Sequence, residues 1–367
     1  MIYLDNGATS FPKAPPVAQA MTRALQTCTN PGRGGYRTSM AAAITVLRCR
    51  VQASAMFGCE PEQVVFTSNC THGLNMAIRT LVKPGRRVVI SGFEHNAVLR
   101  PLIALKAEIV VAGEELFNSA DTLEKWEAAL RKGVDAAIFT HVSNVFGYIL
   151  PVEEMAALCR QYGVPFVVDA AQSAGTLPID LKKWGAEFVA MPGHKGLLGP
   201  QGTGLLLCNR LPEPLLYGGT GTQSKDPNMP EFLPDRGEAG TLNVPGVAGL
   251  EAALAYLSKT DISRIHKREM TQARRCIQGL EKMGYQVFYG TSQIATISFV
   301  PPMDCEELSN ELAKRNIAVR AGLHCAPLAH KSAGTLATGT VRISFGKDAC
   351  DWQTNTLLEA LGNVKKL

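Results

Sequence analysis

Lys195 lies in the glycine-rich run Met191-Pro-Gly-His-Lys-Gly-Leu-Leu-Gly-Pro-Gln-Gly-Thr-Gly204, shortly after Val167-Val-Asp-Ala-Ala-Gln172. A lysine in such a loop can join an aldehyde as a Schiff base. A carboxylate closing an apolar strand, here Asp169, can keep a pyridine nitrogen protonated so that the ring accepts electrons. The two groups in this order point to a pyridoxal phosphate site. Taken alone, each has a plainer reading: an exposed charge for the lysine, a helix N-cap for the acid.

Other segments supply what such a site needs. Thr67-Ser-Asn-Cys-Thr-His-Gly73 joins a strand to a helix start, where open N–H groups and the helix dipole form a phosphate cradle with the Thr71 hydroxyl as a further donor. A simple N-cap fits the same pattern. Neither this run nor Gly193-His-Lys-Gly-Leu has nucleotide P-loop spacing, which argues against a nucleoside triphosphatase. In Glu94-His95-Asn96 the imidazole can stack on a pyridine ring and move protons, or serve as a cap. Asn144, in His141-Val-Ser-Asn-Val-Phe-Gly147, can hydrogen-bond a phenolic oxygen of the cofactor or the substrate, and Gln172 can complete those contacts. Burying Asp169 costs several kcal/mol unless it is paired, and a pyridinium is a suitable partner. Arg342, in Thr340-Val-Arg-Ile-Ser-Phe345, has a planar fork suited to an α-carboxylate or to an edge-strand ion pair. Cys325 stands beside His324 with Arg320 nearby, a pattern that lowers a thiol's pKa.

These groups must be held by a scaffold, and the apolar rhythm names it. Short apolar runs at 64–67, 87–90, 108–111, 136–140, 165–168, 188–190 and 204–207 alternate with helical patterns. Asp121-Thr-Leu-Glu124 reads as a capping box opening a helix to residue 132, and Pro151 as a helix start. The expectation is an α/β fold with a mostly parallel sheet covered by helices on both faces, its loops converging on one carboxyl edge. The glycine- and proline-rich stretch 217–240 breaks the rhythm and reads as functional or as an oligomer contact. Beyond it, helices at 247–260, 263–283 and 305–315, strands at 286–289, 294–300, 317–320 and 340–345, and a last helix from 348 predict a smaller α+β domain. The division predicted is an N-terminal segment 1–15 packing near the small domain, a large cofactor domain 16–246, and a C-terminal domain 247–367 carrying Cys325.

The bulk numbers narrow the class. With 46% hydrophobic and 19% charged residues, 367 residues can bury a sizeable core. The net charge of +5 is mild, and the densest basic stretch, 264–275, also carries Glu269, so no nucleic-acid partner is expected. The N-terminus shows no charged leader followed by an apolar segment, and no run approaches membrane-spanning length. A soluble, cytoplasmic protein is the expectation. Ten cysteines are scattered without a Cys-x-x-Cys pair, so neither disulfides nor a metal site is expected.

From Tyr3-Leu-Asp-Asn-Gly-Ala-Thr9 to the Arg342 strand, the chain resembles the fold type I pyridoxal phosphate enzymes of aminotransferase class V. More narrowly, it resembles the cysteine desulfurases of the SufS and selenocysteine-lyase-like group. The most specific motifs are Val167-Val-Asp-Ala-Ala-Gln172, Gly193-His-Lys195, Glu238-Ala-Gly-Thr241 and Arg320-Ala-Gly-Leu-His-Cys325. The resemblance implies Lys195 as Schiff-base lysine, Asp169 as pyridinium partner and His95 as stacking histidine, with Asn144 and Gln172 holding the ring. It implies phosphate contacts from Thr71, His194 and, across a homodimer, Thr241. Cys325 becomes the persulfide-forming nucleophile, Arg342 the substrate-carboxylate anchor, and Arg33 a further pocket residue. Two positions depart from the pattern: Pro192 replaces a phosphate-binding serine, and Leu323 replaces the first histidine of the cysteine motif.

The activity implied is L-cysteine desulfuration, converting cysteine to alanine with sulfur passed to Cys325. Selenocysteine lyase activity, or a class V aminotransferase or lyase that does not use the cysteine, is the alternative. The sulfur acceptor stays open between a carrier protein, an iron–sulfur scaffold and a simple thiol. A non-catalytic scaffold for a sulfur-trafficking partner is disfavoured by the joint presence of Lys195, Asp169 and Cys325.

Overall fold

The computed structural model describes residues 1–32 and 34–364. A short strand β1 (Ile2–Tyr3) precedes helices α1 (Val17–Thr27) and α2 (Arg37–Phe57). Strands and helices then alternate: β2 (Val64–Thr67), α3 (Cys70–Leu81), β3 (Arg87–Ser91), α4 (Asn96–Ala104), β4 (Glu108–Ala112), α5 (Ser119–Arg131), β5 (Ala136–Thr140) and α6 (Val152–Gln161). The series closes with β6 (Phe166–Asp169), α7 (Leu181–Trp184), β7 (Phe188–Pro192) and β8 (Gly204–Cys208). Then come α8 (Val244–Ser258), α9 (Ile262–Lys282), β9 (Gln286–Phe288), β10 (Thr296–Val300), α10 (Cys305–Lys314), β11 (Ile317–Ala318), β12 (Arg320–Gly322), α11 (Pro327–Ser332), β13 (Thr340–Ser344) and α12 (Asp351–Val364).

The large sheet has the order β2-β8-β7-β6-β5-β3-β4. All neighbours run parallel except β8, which is antiparallel to both β2 and β7. That exception matters for the site. After β7 the chain needs no helical crossover, so residues 193–203 fold directly over the sheet's carboxyl edge and keep Lys195 there. The middle strands are buried along their whole length, which is why they read as continuous apolar runs rather than alternating ones. Phe139 on β5 lies between Trp126, edge-on at 5.2 Å, and Phe166, stacked at 5.7 Å.

A four-stranded antiparallel sheet, β12-β13-β10-β9, forms the base of the smaller body. The N-terminal β1 pairs in parallel with β11, Ile2 opposite Ile317, so the chain begins in that body. Ile2 and Leu4 share its core with Ala273, Cys276 and Leu280 of α9.

Three expectations need correction. The boundary between residues 246 and 247 falls inside α8, which packs on α1 and α2 with Val247, Leu250, Leu254 and Leu257 in the large core. A helix buried on most of its faces belongs to the body that surrounds it, so the small body's helical part begins at α9. The capping box at 121–124 does not open α5: Asn118 does, accepting from the N–H of Asp121 at 3.1 Å. The sequence pattern also predicts no element where α1 and α2 stand. On α2 the buried Ala42, Val46, Cys49 and Ala53 are matched by Met40, Ile44, Leu47 and Val51 on the exposed side, so no single apolar face marks it.

Phe139→Ala is expected to lower unfolding free energy by about 3–5 kcal/mol, since it opens a cavity between two aromatic neighbours. Leu25→Ala, at a site 72% exposed, should stay within about 0.5 kcal/mol. Denaturant titration of both variants checks this, and equal midpoints would contradict it.

Candidate active site

In a parallel sheet the loops after successive strands meet at one edge. Here the loops leaving β3, β5, β6 and β7 carry His95, Asn144, Gln172 and Lys195 respectively. Asp169 ends β6 and is 2% exposed. Its Oδ1 accepts from the Ala171 N–H at 2.8 Å and from the Cys70 thiol at 3.5 Å. Among the described residues nothing bonds Oδ2, and nothing bonds the Lys195 Nζ. Burial lowers the Lys195 pKa, and the Asp169 charge opposes that shift. Two glycines set the approach of these segments. Gly175 has φ +83°, and a Cβ there would strike the Gly196 carbonyl, while one on Gly196 would strike that of Ala174. Only bare backbone lets the turn after Asp169 lie against the Lys195 loop.

His95 caps α4, its Nδ1 accepting from the Ala97 N–H at 3.0 Å, which leaves Nε2 as the ring's N–H. Burial lowers its pKa, Asp169 raises it, and Lys195, Arg100 and Arg342 lower it further. The preceding Glu94 is fully buried. Ser91 Oγ and the Thr140 N–H, the latter at 2.8 Å, donate to its Oε1, tying the His95 loop to β5. Burial pushes the Glu94 carboxyl up to about 8.

Asn69 caps α3 by accepting from the His72 N–H at 2.9 Å. The N–H groups of Cys70 and Thr71 belong to the first turn, which has no intrahelical acceptor for them, and the Thr71 side chain is exposed. His194 Nδ1 and Thr9 Oγ1 share a hydrogen bond at 3.0 Å, so only Nε2 remains for a further ligand. Burial, then Lys195 and Lys13, push its pKa down to about 4. Its carbonyl accepts from Lys13 Nζ at 2.8 Å, and burial lowers the Lys13 pKa to about 8. Gln172 donates from Nε2 to the Gly7 carbonyl at 3.0 Å. Pro192 is buried as the last residue of β7, with no hydroxyl to offer.

Thr241 does not meet these groups within the chain. It is exposed and lines a separate cavity with Ser68 and His72. Its loop is anchored by a buried Arg50–Glu238 ion pair, with Glu238 accepting from the Phe66 N–H at 2.6 Å and the Arg50 guanidinium 4.5 Å above the Phe66 ring. Arg33 lies outside the described residues.

The cysteine loop closes the site from the small body. His324 and Cys325 both take left-handed backbone, φ 49° and 57°, which costs non-glycine residues about 1–3 kcal/mol each. Two bonds hold that shape: the Asn96 N–H donates to the Cys325 carbonyl, and Asn144 Nδ2 to the His324 carbonyl, each at 2.7 Å. Cys325 itself is exposed. Arg342 is 2% exposed and donates to the Asn144 carbonyl and to Asp5 Oδ1, both at 2.8 Å. Its Nε is buried without a partner.

Of the two groups next to Cys325 in sequence, Arg320 is in electrostatic reach of the thiol but is shared with Asp5, and His324 is turned away. Arg320 binds both oxygens of Asp5. The His324 ring turns inward to Thr340 and His330, and burial holds its pKa down at about 2, so it is neutral. Asp5, which bridges the two arginines, and Cys70, which bonds Asp169, were given no role from sequence. The signal for Asp5 was a lone carboxylate inside the apolar Tyr3-Leu4 run; Cys70 gave none.

Glu94 yields a pH prediction. Its folded pKa of about 8 lies above its ordinary value of 4.5, so the folded protein keeps a proton that the unfolded chain has released. Stability from this group is full below pH 4.5 and is lost as pH rises through 8. Glu94→Gln should therefore flatten the decline in stability between those limits. Parallel slopes for the variant and the parent in denaturant titrations across that range would contradict it.

A family model described as aminotransferase class V matches residues 2–355. A probable cysteine desulfurase of Pyrococcus abyssi is 34% identical, the match covering 94% of this chain and 89% of that one. One of Methanothermobacter thermautotrophicus is 33% identical, over 94% and 90%. Among solved structures, the apo cysteine desulfurase of Thermococcus onnurineus gives a TM-score of 0.91 at 31% identity, covering 100% of this chain and 95% of that one.

Proposed function

This chain belongs to the aminotransferase class V family, and we propose that it is a pyridoxal phosphate-dependent L-cysteine desulfurase with the fold type I architecture. One observation carries the reading. An unpartnered lysine amine and an open carboxylate oxygen lie in electrostatic reach of each other and of His95, and the residue after His95 holds the backbone of the exposed Cys325.

The donor set fits the cofactor. Asp169 Oδ2 is free for a ring N–H, Lys195 Nζ for covalent attachment, and the first turn of α3 with Thr71 and His194 Nε2 for a phosphate. His95, Asn144 and Gln172 would hold the ring, and Thr241 of a second copy would complete the phosphate shell. When bound, pyridoxal phosphate supplies an electron sink for charge developing at the substrate's Cα.

The chain's own residues do the rest. Arg342, with its unpartnered Nε, binds the substrate carboxylate. Lys195, its pKa lowered by burial, takes the Cα proton. The Cys325 thiolate attacks the substrate sulfur, an S–S bond forms, and the C–S bond breaks with its electron pair going to carbon. Protonation at that carbon, with return of a proton from Lys195 to Cα, yields alanine and leaves a persulfide on Cys325.

A homodimer is part of the proposal. Met40, Ile44, Leu47 and Val51 form an exposed apolar stripe along α2, and the Thr241 loop is exposed as well.

After incubation with L-cysteine, mass spectrometry should find one added sulfur on Cys325 and stoichiometric alanine. Cys325→Ala should keep the cofactor's absorbance and lose alanine formation by about a hundredfold or more. Undiminished alanine formation in that variant would contradict the assignment.

A further inference from the structure

The cleft beside Cys325 runs between α3 and α4. Thr71, Asn75 and Arg79 line it from α3, and Asn96 and Arg100 from α4. Spacings of four residues put each set on one helix face. At the end where Cys325 sits, the first N–H of α4, from Asn96, donates to the Cys325 carbonyl, and the α4 cap His95 lines the cleft as well. Arg79 and Arg100 are exposed, and neither guanidinium has an ion pair or a hydrogen bond among the described residues. No carboxylate lines the cleft. This differs from Arg320 and Arg342, whose charges are met by Asp5. Arg79 stands about 12 Å along α3 from Thr71, two turns past the first-turn phosphate cradle. Its charge, with that of Arg100, is left for another anion.

Such a cleft, about 360 Å³ in volume, is of a size that takes small molecules. We propose that it receives the acceptor of the Cys325 sulfur, and that this acceptor is a small thiol bearing carboxylates. The proposal rests on Cys325 being the sulfur carrier. The acceptor thiolate attacks the outer sulfur of the Cys325 persulfide and forms a new S–S bond to it. The old S–S bond breaks, and its electron pair leaves Cys325 as a thiolate. One persulfide and one thiolate are consumed and one of each is formed, so no oxidant or reductant is required.

The test uses the cofactor-loaded protein, charged with L-cysteine and desalted. Mercaptosuccinate, mercaptoethanol and cysteamine are then compared at equal thiolate concentration for the rate of Cys325 persulfide discharge. At low salt the dianion should exceed the cation by about tenfold or more, the neutral thiol falling between. Salt should shrink the gap. The double substitution Arg79→Gln with Arg100→Gln should remove it, leaving the mercaptoethanol rate and cofactor content unchanged. Equal rates for the three thiols would overturn the proposal, as would loss of cofactor from the double variant, because the arginines would then serve the phosphate. A second arm needs no persulfide. Anionic dithionitrobenzoate, normalised to its rate with free cysteine, should modify Cys325 faster than neutral dipyridyl disulfide, with modification followed by peptide mass. If no persulfide forms, the desulfurase reading fails. If charge preference is missing in this second arm, the cleft proposal fails.

Discussion

Placing the Asp169 carboxylate and the Lys195 amine in electrostatic reach of each other at the sheet's edge, with no bond to Oδ2 or Nζ among the described residues, is the constraint on which the site depends. Each ion carries a desolvation cost of several kcal/mol that their mutual attraction offsets only in part. The fold accepts it because Asp169 is the last residue of a central strand, with Oδ1 fixed by Ala171 and Cys70. Lys195 is brought opposite by a return to the antiparallel β8 without a crossover. The mutual approach of Gly175 and Gly196 then leaves the two segments little freedom to part.

Substrate groups are met from the other body, and one side chain couples the two. Asp5 leaves β1, which is paired to β11, and binds both Arg320 and Arg342. Arg342 reaches Asn144 on the large sheet's edge, and Asn144 holds the His324 carbonyl beside Cys325. A carboxylate from the start of the chain thus orients the expected carboxylate anchor while a continuous set of hydrogen bonds runs to the nucleophile's backbone. The left-handed conformation at His324 and Cys325 is held by that set together with Asn96, which keeps the sulfur exposed.

The parts of this legible from sequence are those fixed by local pattern. Buried parallel strands read as unbroken apolar runs, so Asp169 and the loops carrying His95, Asn144 and Lys195 could be assigned to strand ends and hence to one edge. What failed was whatever depends on a distant partner. Arg320 sits near Cys325 in the chain, yet its fork is taken by Asp5, more than three hundred residues away. The Cys70 bond to Asp169 is invisible for the same reason. The apolar content of α8 announces burial without saying against which body, and on α2 a second apolar face obscures the first.

The central claim is that Lys195, rather than a neighbouring amine, carries the cofactor. Lys13 is the rival, since its Nζ bonds the His194 carbonyl and burial lowers its pKa to about 8. Borohydride reduction of the protein loaded with pyridoxal phosphate, followed by peptide mapping, separates the two. The account predicts the reduced adduct on the peptide containing Lys195 and its absence from Lys195→Ala. An adduct on Lys13, or none on either lysine, would contradict it.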